Sequence, residues 1–255
     1  MKVATFNTNS VRARLPIILD WLSGEGPDLL CLQETKVQDK DFPSSAFEET
    51  GYRTYVRGQK SYNGVALISK NPLDNIRYHL RDEQEDARFI AGELDGVPVV
   101  NVYVPQGYAV GSEKFAYKLE WLRRLIDYLE GGLSLSAPII LAGDFNVALE
   151  DADLFDPDKF RGEVAFHPEE QALIRRLEDL GFVDVFRMHV KEAGAYTFWD
   201  YRIPNGFKRN MGWRIDYIFA SAPLAEKAGR CWVDKGPRGM EKPSDHTFLI
   251  AEFDI

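Results

Sequence analysis

Short apolar runs alternate along this chain with longer amphipathic stretches. Runs rich in Val, Ile, Phe and Tyr, bounded by Gly, Pro, Asn or Asp, predict strands. They fall at residues 3–6, 29–33, 52–56, 65–69, 89–94, 97–104, 139–143, 214–220 and 247–253. Between them, Ile17, Ile18, Trp21 and Leu22 have helical spacing and predict a helix over 14–25 that opens beside Pro16. Phe115, Leu119, Leu122, Leu125, Ile126 and Leu129 predict a second over 112–131. Leu173, Ile174 and Leu177 predict a third over 168–180, stopped by Gly181. Segments 53–69 and 89–104 read as hairpins with no room for a crossover helix, which disfavours a doubly wound parallel sheet. Two sheets packed face to face, with helices outside, account for many strands and few helices.

No short repeat, low-complexity tract or linker interrupts the 255 residues, so one domain over 1–255 is the expectation. The hydrophobic fraction of 45% excludes a disordered chain. Apolar runs reach about four residues, against the ~20 a spanning helix needs, so no membrane association is expected. The first residues lack the ~7–15-residue apolar core of a secretory signal, which makes the cytoplasm the default location. Cys31 and Cys231 sit in apolar stretches without a partner at metal-clip spacing and read as buried, reduced thiols. The net charge of −9 argues against polyanion binding over the whole surface. It is compatible with a carboxylate-rich cation site and a local Lys/Arg rim for phosphates.

The informative pattern is where polar residues interrupt the strands. Val3–Phe6 runs into Asn7, with Asn9 close behind; Leu29–Gln33 runs into Glu34; Ile139–Gly143 runs into Asp144, Phe145 and Asn146. Arg214-Ile215 leads into Asp216, and Pro243-Ser244 leads into Asp245-His246 before the last strand. Acids at the ends of apolar strands are held rigidly and partly desolvated, and they repel one another unless a cation or hydrogen bonds offset them. Oxygen donors without thiolates suit a hard ion, Mg²⁺ or Mn²⁺. Such an ion takes only one or two protein carboxylates, which leaves another acid for proton transfer.

Several segments together resemble the exonuclease III family of apurinic/apyrimidinic endonucleases, within the endonuclease/exonuclease/phosphatase superfamily. They are Leu32-Gln33-Glu34-Thr35-Lys36, Gly143-Asp144-Phe145-Asn146, Trp213-Arg214-Ile215-Asp216-Tyr217 and Glu241-Lys242-Pro243-Ser244-Asp245-His246. Phe6-Asn7-Thr8-Asn9-Ser10-Val11-Arg12, Asn101 to Gly107 and Tyr196 to Arg202 extend the match over essentially the whole chain. The Lys-Pro-Ser-Asp-His and Tyr-Val-Pro-Gln-Gly stretches are more specific to the DNA-repair branch than the Gly-Asp-Phe-Asn segment. Asn9 stands where some relatives carry Asp, and Ser10-Val11 replaces a Gly-Leu or Gly-Ile pair.

The resemblance implies a DNase I-like fold: a four-layered α/β sandwich of two mixed β-sheets flanked by helices, with pseudo-two-fold halves. It implies a monomer that uses Mg²⁺ or Mn²⁺ to cut the phosphodiester 5′ to abasic sites in double-stranded DNA. It also implies 3′→5′ exonuclease action and cleaning of blocked 3′ ends. Glu34 becomes the principal metal ligand, with Asn7, Asp144, Asn146, Asp245 and His246 around the ion. Asp144 becomes the general base, and Asn146 holds the nucleophile. His246 contacts the phosphate and is paired with Asp216, while Tyr103 lies beside the leaving oxygen. Phe198, Trp213 and Ile215 wall a slot for a base-less sugar. Lys36, Arg88, Lys114, Lys118, Arg202 and Lys208 are candidate phosphate contacts. Two other readings compete: a superfamily phosphatase acting on small phosphate esters, and a silent nucleic-acid-binding member.

Overall fold

A computed structural model describes residues 1–81 and 86–255. In chain order the strands are β1 (Lys2–Asn7), β2 (Leu29–Gln33), β3 (Arg53–Arg57), β4 (Val65–Ser69), β5 (Asp74–Arg77) and β6 (Phe89–Leu94). They continue with β7 (Val97–Tyr103), β8 (Ile140–Asp144), β9 (Phe182–Asp184), β10 (Asp216–Ser221), β11 (Ala228–Asp234) and β12 (Phe248–Phe253). The helices are α1 (Val11–Glu25), α2 (Ser44–Glu48), α3 (Glu113–Gly132), α4 (Pro157–Phe160), α5 (Pro168–Asp179), α6 (Val185–His189) and α7 (Ala222–Ala225).

The expected strands are all present, shifted by at most two residues at an end. Helix α1 starts three residues earlier than expected and carries Pro16 inside it. Its early start is fixed by the loop, where the Val11 N–H donates to the Thr35 carbonyl at 3.1 Å. Strands β5, β9 and β11 were not foreseen. Their sequences, Asp-Asn-Ile-Arg, Phe-Val-Asp and Ala-Gly-Arg-Cys-Trp-Val-Asp, are short or polar. All three lie at sheet edges, where one side needs no partner.

One sheet runs β11-β12-β1-β2-β4-β3 and the other β5-β6-β7-β8-β10-β9. Each has a single parallel pair at its centre, β1 with β2 and β7 with β8, and antiparallel neighbours elsewhere. A long helix bridges each parallel pair, α1 in one half and α3 in the other, as a parallel connection requires. The two halves therefore repeat one topology, and the DNase I-like sandwich expected from the resemblance is observed.

Side-chain alternation places three apolar layers. Val3, Leu29, Cys31, Val99, Ile140, Ile218 and Leu249 fill the space between the sheets. Ala4, Phe6, Leu30 and Leu32 face outward onto Ile18, Trp21 and Leu22 of α1. Val100, Val102 and Leu141 face outward onto Trp121, Leu122 and Leu125 of α3 and Ile174 of α5. Both cysteines are buried in the central layer, and burial pushes both thiols up, as the reduced, inert reading requires. Among the described residues no helix is long and apolar enough to cross a membrane.

The inward faces of these strands turn polar toward one end. There Gln33 Nε2 donates to Thr5 Oγ1 at 2.9 Å and to Asn101 Oδ1 at 2.7 Å. Asn101, on the facing sheet, donates from Nδ2 to the carbonyls of Leu32 and Ala66 at 3.0 and 2.9 Å. A second buried node braces the turn after β8. Arg214 donates to Asp153 at 2.7 and 3.1 Å and pairs with Asp184 at 2.8 Å, while Arg187 also pairs with Asp153. Two guanidiniums and two carboxylates leave no net charge in the core.

Burial pushes the Asp153 carboxyl up, but Arg214 and Arg187 outweigh it and hold it below the ordinary carboxylate range. Asp153→Asn removes one partner and strands buried charge, and is expected to lower stability by about 3–5 kcal/mol at neutral pH. A group with a depressed pKa contributes fully above its ordinary range and loses that contribution as pH falls below it. The deficit of the variant, read from urea unfolding midpoints, should therefore shrink on acidification below about pH 4. A deficit that stays constant to acid pH contradicts this account.

Candidate active site

The polar end of the inter-sheet space opens at the loops that follow β1, β2, β7 and β8. Glu34 leaves β2 with a left-handed backbone, φ +50°, and Asn146 follows β8 with φ +51°. Asn9, Ser10 and Lys36 share that conformation, with φ of +45°, +94° and +55°. Non-glycine residues rarely adopt it, and such residues are enriched at functional sites. Ser10 adopts this conformation without being glycine, and its N–H donates to the Glu34 carbonyl at 2.8 Å. Gly143 (φ +143°) explains the glycine before Asp144, because a Cβ there would lie 2.0 Å from the Val102 carbonyl oxygen.

Asn7 forks between the two sheets. Its Nδ2 donates to Glu34 Oε1 at 3.1 Å and to Asp144 Oδ2 at 2.8 Å. Tyr103, at the end of β7, donates to Glu34 Oε1 at 2.7 Å, and Lys36 Nζ lies 2.8 Å from Glu34 Oε2. Burial pushes the Glu34 carboxyl up, but Lys36 and the donors Tyr103 and Asn7 overcome it and leave it below its ordinary range. Asn9 donates to Asp245 Oδ1 at 3.0 Å and accepts from Lys36, which links the two carboxylates.

Asp144 is almost fully buried. Asn146 contacts it twice, through its N–H at 2.8 Å and its Nδ2 at 3.3 Å; Nδ2 also donates to the Val104 carbonyl at 3.0 Å. His246 lies between two acids, with Nδ1 2.8 Å from Asp216 Oδ2 and Nε2 3.8 Å from Asp144 Oδ2. Burial and the neighbouring Asp216 push the Asp144 carboxyl up to about 7, against the pull of His246. Burial favours neutral His246, but Asp216 and Asp144 overcome it and raise the imidazole to about 10. Asp144, Asp216 and His246 offer ligand atoms within 4.8 Å of one another.

The chain belongs to the endonuclease/exonuclease/phosphatase family. That family's profile matches residues 4–246. The chain is 38% identical to exodeoxyribonuclease III of Haemophilus influenzae, covering 99% of this chain and all of that protein. Its fold is similar to that of an AP endonuclease from Archaeoglobus fulgidus, with a TM-score of 0.97 and 43% identity over the full length of both chains. It is also similar to the Neisseria 3′ phosphatase NExo bound to a product DNA hairpin, with a TM-score of 0.96 and 37% identity, again over both full chains.

Phe198, Trp213 and Ile215, expected as pocket walls, form one apolar cluster with Leu154, Phe160 and Phe166. Segment 197–199 pairs with Trp213 on one side and with 245–247 on the other. This ladder brings the Phe198 ring to 4.9 Å from that of His246. Thr197 completes it, with Oγ1 accepting from the N–H groups of Ile215 and Asp216 at 3.2 and 3.3 Å. Sequence reasoning missed Thr197, and nothing in its local pattern singles it out.

The expected phosphate contacts divide. Lys114, Arg202 and Lys208 are exposed; Lys114 lies over the Tyr108 ring, and Arg202 pairs with Asp200. Arg88 packs its guanidinium 4.6 Å from the centre of the Tyr103 ring. Lys118 is a correction. It is fully buried, pairs with Glu170, and donates to the carbonyls of Asn146 and Gln106 at 2.7 and 3.3 Å, so it presents no charge to a ligand at the surface.

His246 holds its proton more tightly in the folded chain than in the unfolded one. Its stabilisation is therefore complete below about pH 6.5 and is lost as pH rises through about 10. Proton NMR with chelator present should find the ring still protonated at pH 8. Asp216→Asn should bring that titration down into the neutral range. A wild-type ring that titrates near its ordinary value rules out the assigned pairing.

Proposed function

We propose that this chain is a divalent-cation-dependent DNA-repair nuclease that hydrolyses the phosphodiester 5′ to abasic sites in duplex DNA. The same centre removes blocking groups from 3′ ends and degrades DNA from them. What supports this reading is the apolar cluster of Phe198, Trp213 and Ile215, joined to the Glu34–Asp144–His246 centre through the Phe198 ladder. A phosphatase for small esters needs the centre but has no use for a slot that takes a base-less sugar.

The charge balance fits a hard divalent ion. Glu34, Asp144, Asp216 and Asp245 bring four carboxylates, against Lys36 and His246. When all four are ionised, two negative charges remain to be neutralised. Glu34 would be the principal ligand of such an ion, with Asn7, Asp245, Asp144 and Asn146 as the further residues that would hold it. A protonated imidazole has no free lone pair, so His246 is assigned to the phosphate and not to the ion. Bound Mg²⁺ or Mn²⁺ would neutralise the non-bridging phosphate oxygens and the leaving oxygen.

The remaining roles follow from the side chains. Asp144, poised near neutrality, takes the proton of the attacking water. Asn146 spends Nδ2 on Val104 and Asp144, which leaves its Oδ1 to orient that water. The His246 imidazolium, oriented by Asp216, donates to a non-bridging oxygen as charge builds there. Water bonds to phosphorus as the bond to the 3′-oxygen breaks, and that oxygen takes a proton from solvent water, leaving a 3′-hydroxyl upstream and the abasic sugar phosphate downstream. Tyr103, already donating toward Glu34, lies beside that leaving oxygen. Phe198, Trp213 and Ile215 accept the flipped sugar, which is cheapest to extrude where no base pair is lost. Exposed Lys114, Arg202 and Lys208, with Arg88, meet the flanking backbone.

With Mg²⁺, cleavage of an abasic duplex should exceed phosphate release from an inositol phosphate, and chelation should abolish it. Asp144→Asn should lower kcat by about 10²–10⁴-fold. Near-normal turnover in that variant removes Asp144 from the mechanism, and preferential hydrolysis of the inositol ester replaces the nuclease reading with the phosphatase one. Affinity for the duplex should fall as salt is raised.

A further inference from the structure

Lys118 is a buried charge that the chemistry above leaves without a task. It lies on α3, the crossover helix between β7 and β8, with no exposed surface. An ammonium has three hydrogens to place. Here they meet three acceptors: the carbonyl of Asn146 at 2.7 Å, the carbonyl of Gln106 at 3.3 Å and the carboxylate of Glu170. Glu170 belongs to α5 and is equally buried, and its Oε2 accepts the His167 N–H at 3.2 Å. One side chain thus ties together the loop after β7, the loop after β8 and the start of α5.

A buried ion pair is a weak source of stability, because an apolar pair of similar volume serves folding as well or better. What an apolar pair cannot do is donate to two carbonyls. The Asn146 carbonyl belongs to a residue in the left-handed region, a conformation that persists only under constraint from its surroundings. Its N–H is fixed by Asp144 and its Nδ2 by Val104, and Lys118 fixes the remaining polar backbone atom. The Gln106 segment follows Tyr103, so the same ammonium spans the two loops that present Tyr103 and Asp144.

We propose that Lys118 is a positioning residue whose ammonium holds the Asn146 and Gln106 carbonyls, and through them sets Asn146 against Asp144. The proposal rests on the nuclease reading. A small displacement of a water-orienting group costs about 10²-fold in rate without loss of substrate affinity.

Thermal unfolding and abasic-duplex cleavage of the full chain at saturating Mg²⁺ test it. Lys118→Met leaves Glu170 unpaired and should lower both Tm and kcat. The double variant Lys118→Met/Glu170→Leu removes both charges and should recover Tm. Its kcat should nonetheless stay about 10²-fold down, with KM within about twofold of wild type. A recovered kcat in the refolded double variant would overturn the proposal. Should the double variant not fold, Glu170→Gln decides: the ammonium keeps both carbonyls, so kcat should stay near wild type despite a lower Tm. A kcat reduced as far as in Lys118→Met would again overturn it. Absence of cleavage by the unaltered protein would sink the nuclease reading and this proposal together, which separates the two failures.

Discussion

Two sheets packed through apolar side chains are held by a force that has no direction, and nothing in it resists a slide of one sheet over the other. Here the slide is prevented at one end by hydrogen bonds that cross the gap. Asn7 on one sheet donates to Asp144 on the other, Tyr103 donates back to Glu34, and Gln33 and Asn101 interlock beneath them. A shift of one residue, about 3.3 Å, would break all of them. Register between the sheets and the geometry of the site are thus one property. The contacts that shape the candidate site are also the ones that fix the packing.

The same economy governs charge. Acids gathered in a dry space would expel one another, yet each has a donor or cation assigned to it. Glu34 has Lys36 and Tyr103, Asp216 has His246, and Asp245 has Asn9. Asp144 is the exception. It receives three amide donors and a more distant imidazole, yet burial pushes its carboxyl up to about 7. A buried carboxyl poised near neutrality is suited to move a proton.

The strand-end acids were legible because period-two alternation and a terminal polar residue are local signals, readable without partners. The central strands were legible for the same reason, being short and mostly apolar runs that end in or next to a polar residue. Strands β5 and β11 escaped because an edge strand tolerates the polar residues that ordinarily mark a loop. Lys118, Arg214 and Glu170 were misjudged or unseen because a charged residue type predicts solvent, and only tertiary structure supplies the counter-charges that permit burial. Thr197 was invisible for a related reason: its two acceptor contacts are made to a segment eighteen and nineteen residues away.

The repeated topology has a temporal consequence. Strand β12 enters the first sheet between β11 and β1, although it follows every other strand in the chain. Ser244, just ahead of it, closes onto the Asn7 carbonyl across 237 positions, and His246 reaches Asp216 in the opposite half. During synthesis, which proceeds from the amino end, a growing polypeptide can bury much of its interior while still lacking Asp245 and His246. The buried cluster around Asp144 is therefore completed only after residues 245 and 246 are made, and a chain that stops short of them lacks the imidazole that faces Asp216 and Asp144.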